Sequence, residues 1–410
     1  MTVMGRMRPC DVAAEVVSDR AAGEAYVASI CFKHGPPRRI GVELEHTVHH
    51  RDDPARPVDP ALLATALGSH APRMLREDAP AKPLPAGSAL SVEPGGQLEI
   101  SSPPLGDLTA LHAVASSDLD HVTALLARHE LVLGGGAADA DRRPTRILDT
   151  PRYAAMERRF GRRGGDGIRM MCSTAAVQIS LDAGEAHQHA GRWAALHAMG
   201  PPLLAMFANS RRLCGRDTGF ASARWLAVTG TEPARTAAQP LSPDPAADWA
   251  RRVMDTPLMV LRDDAGRWDA PARLTFAQWV ERGGTRPPTF ADLDYHLTTM
   301  FTPVRPRGHL EVRYLDAQPP GQWLAPVALL AALLHDDAAV ETVLDRCAPV
   351  LGAWERASRA GLADRDLAGV ARALVEIGTS RLDALGLAAP LAAELAESWH
   401  RKLRSTEGAA

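Results

Sequence analysis

The sequence is poor in the features that announce the commoner functions. Its five cysteines, Cys10, Cys31, Cys172, Cys214 and Cys347, are odd in number and scattered, with no C-x-x-C pair and no zinc-ligand spacing. That pattern argues against a disulfide framework or a zinc site and for a reducing, cytoplasmic setting. The longest apolar run, Trp323 to Leu334, is too short to span a bilayer, and the N-terminal stretch carries Asp11 and Glu15 where a signal sequence would be apolar. Lysine occurs only at Lys33, Lys82 and Lys402, and the formal net charge is −3 with a pI near 6.6. No global basic field exists to hold nucleic acid or an anionic membrane surface, so neither is expected as a partner. Neither G-x-x-x-x-G-K-[ST] nor G-x-G-x-x-G occurs; Gly134-Gly135-Gly136 follows Leu131-Val132-Leu133 and reads as a turn after a strand. A nucleotide would have to bind without a P-loop or a Rossmann turn.

No internal repeat or low-complexity linker divides the chain. With 410 residues, 46% of them hydrophobic, it can bury one large core. A single domain over 1–410 is expected, with a catalytic part at 38–320 and a helical part at 323–403.

What the sequence has is a set of acidic strands. In Ile40-Gly41-Val42-Glu43-Leu44-Glu45-His46 the period-2 pattern sends Ile40, Val42 and Leu44 to one face and Glu43 and Glu45 to the other. Two acids side by side require solvent, a cationic side chain or a divalent cation between them. Pro94-Gly95-Gly96 joins Ala89–Glu93 to Gln97–Ser101 as a hairpin whose second arm puts Glu99 on a polar face. Ala175–Asp182 adds Gln178, and Gly308–Leu315 adds Glu311 and Arg313 opposite Leu310, Val312 and Tyr314. Any one of these faces reads as an ordinary solvated surface. Four of them, rich in Glu and poor in Lys, point to an α+β fold whose antiparallel sheet packs helices on one face and forms a polar trough on the other. Carboxylate and amide oxygens suit Mg²⁺ or Mn²⁺ rather than zinc, and Mg²⁺ commonly completes its shell with substrate phosphates. The histidines His46, His49 and His50 crowd one strand without a matching Cys or His elsewhere, which argues against zinc there.

Around these strands, helices are expected at 11–33, 60–67, 106–129, 151–160, 185–199, 201–210, 244–259, 275–282 and 291–299, with three or four more after Trp323. Arg158–Arg163 reads as a basic loop, residues 263–266 as a hairpin turn, and Arg211, Arg212, Arg216, Arg224 and Arg235 fall in a stretch of turns. Such guanidinium density suits carboxylate or phosphate recognition, or simple solvation.

Gly41-Val42-Glu43-Leu44-Glu45-His46, Glu93-Pro94-Gly95-Gly96-Gln97-Leu98-Glu99-Ile100-Ser101, Val177-Gln178-Ile179-Ser180, Phe207-Ala208-Asn209-Ser210 and Leu310-Glu311-Val312-Arg313 resemble, in that order, glutamate-cysteine ligases of the plant-like type. The chain is most similar to the actinobacterial branch whose product enters ergothioneine biosynthesis. The resemblance implies a glutamine synthetase-like sheet on which ATP phosphorylates the γ-carboxylate of glutamate and the amine of cysteine then displaces phosphate. It further implies metal ligation by Glu43, Glu45, Glu99, Gln178 and Glu311, with Arg313 on nucleotide phosphate and Arg235 a weaker nucleotide match. Glu93, whose place just before Pro94 suits a strand end, ranks below Glu99 as a metal neighbour. Arg224 would meet the transferred phosphoryl group or a substrate carboxylate; Cys172, Ser173 and Thr174 would lie where glutamate is held, and Met259 beside the cysteine pocket. Cys172 itself reads as a small residue packed beside a substrate pocket rather than a reactive thiol. Alternatives are a related ligase with another acceptor amine, and a non-catalytic homologue that binds glutamate or nucleotide.

Overall fold

The computed structural model describes residues 14–76, 80–263 and 265–404; Cys10, the start of the expected first helix and Asp264 of the expected turn lie outside them. Its centre is a six-stranded antiparallel sheet of β1 (Ile40–His46), β2 (Ala89–Val92), β3 (Leu98–Ser101), β4 (Ala176–Leu181), β5 (Val304–Pro306) and β6 (Leu310–Asp316). The strand order is β2-β3-β1-β4-β6-β5. The expected polar-faced strands therefore lie side by side. Val42, Leu44, Leu98, Ile100, Val177, Ile179, Leu310 and Val312 are buried together with Leu111, Leu119 and Val122 of helix Leu108–Ala127. Alternation decides this arrangement, because one face of each strand can be buried only if the other carries the polar set.

The same apolar cluster continues into Leu329, Leu374 and Trp399 of the C-terminal helices. Among the described residues these number five, Leu324–Leu333, Asp337–Cys347, Trp354–Ala360, Arg365–Thr379 and Ala389–Arg404, where three or four were expected. Other differences have local causes. The first helix begins at Arg20 because the Asp19 side chain caps it, accepting from the Ala22 amide at 2.8 Å. Arg158 and Arg159 belong to helix Pro151–Gly161 and pair with Asp269 and Glu232 rather than forming a loop. The arginine-rich stretch contains helix Ala223–Thr229, capped by Ser222, so Arg224 projects from a helix and not from a turn. Helix Asp166–Ser173 and strand β5 were not expected. The first is a two-turn segment too short for a periodic signal, and the second is flanked and ended by prolines, which ordinarily demote a strand. Among the described residues no helix is long and apolar enough to cross a membrane.

The Pro94-Gly95-Gly96 turn is fixed from outside the sheet. Gly96 takes φ 91°, and a Cβ on Gly95 would overlap the backbone of Cys172. Gln97 completes the clamp, accepting from the Gly95 amide at 3.0 Å and donating to the Thr174 carbonyl at 2.8 Å. Gly95→Ala forces backbone rather than a flexible side chain to move, and is expected to cost about 2 kcal/mol or more. An unchanged denaturant midpoint for this variant would show that the turn is not held this way.

Candidate active site

Register brings the acids into one row. Glu45 lies across from Glu99 on β3, and Glu43 lies between Ser101 on β3 and Gln178 on β4. Together with Glu93 they line a cavity of about 330 Å³, whose other walls include Arg224, Arg305, Arg307 and Arg313. Burial, reinforced by Glu99 and Glu311, pushes the Glu43 carboxyl up to about 7. Burial with Glu99 and Glu45 pushes Glu93 up to about 8. Glu45 and Glu99 are also raised, by burial first. Each is steadied by donors: Glu45 accepts from the Ala176 amide at 2.8 Å and the Gln178 amide nitrogen at 2.5 Å, and Glu99 from the Ser91 and Ser101 hydroxyls at 2.8 and 3.2 Å.

The arginine end has the opposite balance. Glu311 is wholly buried and accepts from Arg305 Nε at 2.6 Å, Arg305 Nη2 at 3.0 Å and Arg313 Nη1 at 3.2 Å, with Arg307 Nη1 at 3.6 Å. Burial alone would raise its carboxyl, yet Arg305 and Arg313 outweigh that and hold it far below the ordinary range. Arg313 also donates to the Gln178 amide oxygen. Gln178 thus bridges the two ends, its oxygen on arginine and its nitrogen on Glu45. Arg224 is buried; its Nη2 donates to the Arg313 carbonyl at 2.6 Å, while Nη1 has no hydrogen-bond partner among the described residues.

Of the other residues that the sequence points to, Thr174 lines the cavity and Ser173 is buried behind it. Cys172 opens instead onto a second cavity of about 380 Å³ beyond the Gly95-Gly96 turn, and burial pushes its thiol up to about 12, which leaves it unreactive near neutrality. Met259 is buried in an apolar cluster with Met156, Phe160 and Met171 and does not line the main cavity. Arg235 is fully buried and committed to Glu232 (2.8 Å), the Thr299 hydroxyl (2.8 Å) and the Pro257 carbonyl, so it braces the wall from behind. Glu93, placed below Glu99 by its position at a strand end, faces the cavity alongside it. Arg152, Arg305, Arg307 and Trp225 also line the site, and no motif in the sequence points to them. Arg152 is held by the Thr298 hydroxyl and carbonyl at 2.7 and 3.1 Å. Its one sequence signal is a position just after Pro151 at a helix start.

The acid end fits a divalent cation in the chemistry of its donors. Four half-buried carboxylates share it, their titration raised by burial and by one another's charge, and among the described residues no Cys or His lines the cavity. Among the described residues no three Asp, Glu, His or Cys side chains converge into a closed cage. An open set suits Mg²⁺, which takes few protein ligands and completes its octahedron with water and phosphate oxygens.

A helix-backed antiparallel sheet with acids at one end of its polar face and arginines at the other has the architecture of a carboxylate-amine ligase. The fold is similar to that of a solved glutamate–cysteine ligase (gshA) from Francisella tularensis in complex with AMP, at TM-score 0.50 and 13% identity, over 91% of this chain and 83% of that one. The chain belongs to glutamate-cysteine ligase family 2 (GCS2), whose profile matches residues 39–402. It is 36% identical over 411 residues to the glutamate–cysteine ligase EgtA of Mycolicibacterium smegmatis, covering 97% of this chain and 90% of that protein. The EgtA of Mycobacterium tuberculosis is 37% identical over 377 residues, at 89% and 84% coverage. The chloroplastic enzyme of Brassica juncea is 31% identical over 353 residues, at 82% and 66% coverage.

The raised carboxyls set a pH dependence. Glu43 and Glu93 hold their protons more tightly in the fold than in the unfolded chain. Their contribution to stability is therefore complete below the ordinary value of 4.5 and is lost as the pH rises through about 7 and about 8. In metal-free buffer, raising the pH from about 5 to about 8.5 is expected to lower unfolding free energy by on the order of 1–3 kcal/mol. Glu43→Gln should flatten that slope and Mg²⁺ should offset it at the alkaline end. A slope identical in the wild-type chain and the variant would contradict the assignment.

Proposed function

We propose that this chain joins the γ-carboxylate of L-glutamate to the amine of L-cysteine, giving γ-glutamylcysteine, ADP and phosphate from ATP. The observation that carries the reading is the bipolar cavity, in which anionic and cationic side chains face each other across a few strands. One glutamate γ-carboxylate oxygen attacks the terminal phosphorus of ATP and ADP leaves; the cysteine amine then attacks the acyl carbon and expels phosphate. Both steps develop negative charge on oxygen, which preorganised guanidinium groups stabilise. Arg313, Arg307 and Arg305 form the cationic end suited to phosphate oxygens, and Arg224 lines the cavity as a further guanidinium for the transferred phosphoryl group or a substrate carboxylate.

Mg²⁺, or Mn²⁺, would be held by Glu43, Glu45, Glu93 and Glu99, and when bound neutralises phosphate charge as a Lewis acid. Glu311 and Gln178 belong to the same face and serve as further oxygens if their arginine contacts exchange onto phosphate. Met156, Met170, Met171, Val228 and Phe301 are among the apolar residues of the lining. That patch suits the small, weakly polar side chain of cysteine. A thiol substrate also needs a reducing, cytoplasmic setting, in keeping with the scattered free cysteines. The likeness to the mycobacterial proteins supports ergothioneine biosynthesis as the destination of the product, and the core shared between sheet and C-terminal helices supports one catalytic domain.

The test is to incubate the chain with ATP, Mg²⁺, glutamate and single candidate amines, following phosphate release and the product by mass. Cysteine is expected to be the preferred acceptor; phosphate release driven equally by other amines would move the reading to a different carboxylate-amine ligase. Glu43→Gln should lower kcat about 100-fold or more with little change in the thermal midpoint at about pH 5, where the wild-type carboxyl is protonated in the metal-free fold, because its charge serves the cation rather than packing.

A further inference from the structure

Asp316, at the end of β6, is a fully buried carboxylate that the reaction as described does not use. It faces the polar side of the sheet only because of a bulge. Val312 pairs with Ile179 but Leu315 pairs with Val177, so one extra residue is taken up between them and Asp316 comes to lie across from Ala176. Without that shift the alternation would turn Asp316 into the apolar core. Bulges re-aim side chains in this way and recur beside active sites.

The re-aimed carboxylate is met by three hydrogen bonds from two separate segments. Oδ2 accepts from the Asn209 amide at 2.8 Å and the Ser210 hydroxyl at 2.7 Å, and Oδ1 accepts from the Ser222 hydroxyl at 2.8 Å. Both hydroxyls lead to Arg224. Ser210 Oγ accepts from the Arg224 amide at 3.1 Å, and Ser222 Oγ accepts from the Trp225 amide at 3.1 Å as the cap of helix Ala223–Thr229. Nη1 of the Arg224 guanidinium itself lies 3.8 Å from Asp316 Oδ1, beyond a direct hydrogen bond. Glu45 is a second, competing anion whose charge acts on the same guanidinium.

We propose that Asp316 is the positioning residue of Arg224, which rests on the role given to Arg224 above. Through the two serine hydroxyls it fixes where the helix carrying Arg224 begins. Through its charge it holds Nη1 of the guanidinium, 3.8 Å from Oδ1, against the competing pull of Glu45, which leaves Glu45 for the cation. A buried carboxylate satisfied mainly by neutral donors is costly to keep, and an oriented arginine beside the reacting groups is what it secures.

A double-mutant cycle tests this, with kcat and the KM for each substrate measured for Asp316→Asn, Arg224→Lys and the pair. Asn keeps the shape, and the serine hydroxyls can rotate to accommodate it. Asp316→Asn is expected to lower kcat about 50-fold with the KM for ATP little changed, yet less than about 3-fold further in the Arg224→Lys background. Ser210→Ala, which removes one donor to Asp316 and the acceptor of the Arg224 amide, should act in the same direction by about 5-fold and also fade in that background. It carries the test alone if Asp316→Asn does not fold. Equal factors in both backgrounds, or wild-type kcat in Asp316→Asn and Ser210→Ala, overturn the proposal while leaving the ligase reading intact. Arg224→Lys with wild-type kcat overturns the role of Arg224 and the proposal with it. A wild-type chain that forms no γ-glutamyl product sinks both before any variant is made.

Discussion

Carboxylates that repel one another have to be held close on a surface that water only partly reaches, and most of the architecture answers to that. A loop would let Glu43, Glu45, Glu93 and Glu99 separate. A sheet does not, because cross-strand register sets Glu45 against Glu99 and Glu43 beside Gln178 whatever their charges prefer. The strain is met by burying the opposite face against helices, where the apolar area gained outweighs the repulsion. It is eased by single hydrogen bonds to individual oxygens, such as those from Ala176 and Ser91. What these donors leave unbalanced is negative charge, the kind that a divalent cation offsets.

The arginines show the complementary arrangement. Three guanidinium groups surround Glu311 although one would satisfy it. The surplus positive charge faces the cavity, which Arg305, Arg307 and Arg313 all line. Acid and base ends are bridged by Gln178, an amide that can serve a cation through its oxygen or a carboxylate through its nitrogen. Here the oxygen points to Arg313, so the row of oxygens implied by the family resemblance is present but is in part committed to arginine.

Legibility in the sequence follows the length of the pattern. The strands around Glu43, Glu99, Gln178 and Glu311 are readable because period-2 alternation sustained over several residues marks a half-buried strand and little else. The E-P-G-G-Q-x-E-x-S hairpin is readable because its glycines answer to backbone contacts, as at Gly95 against Cys172. Short segments are not. The two-turn helix Asp166–Ser173, the helix that carries Arg224, and strand β5 with its prolines are each shorter than the window in which a period emerges. Arg305 and Arg307, which flank Pro306, are lost with that strand.

The sequence by itself determined which residues of the regularly paired strand stretches face away from the core, since alternation there has no freedom, and with it the family and the acids that line the cavity. Only the tertiary structure decided what each charge meets. Arg235 and Arg224 look alike as arginines of one stretch, yet one is walled in by Glu232 and Thr299 and the other opens on the cavity. Met259 and Met170 are both apolar, but packing puts one behind the wall and one on it. Asp316 shows the reason most plainly. A one-residue bulge reverses the face that alternation assigns to it, and a bulge depends on how two strands pair, which neither strand encodes alone.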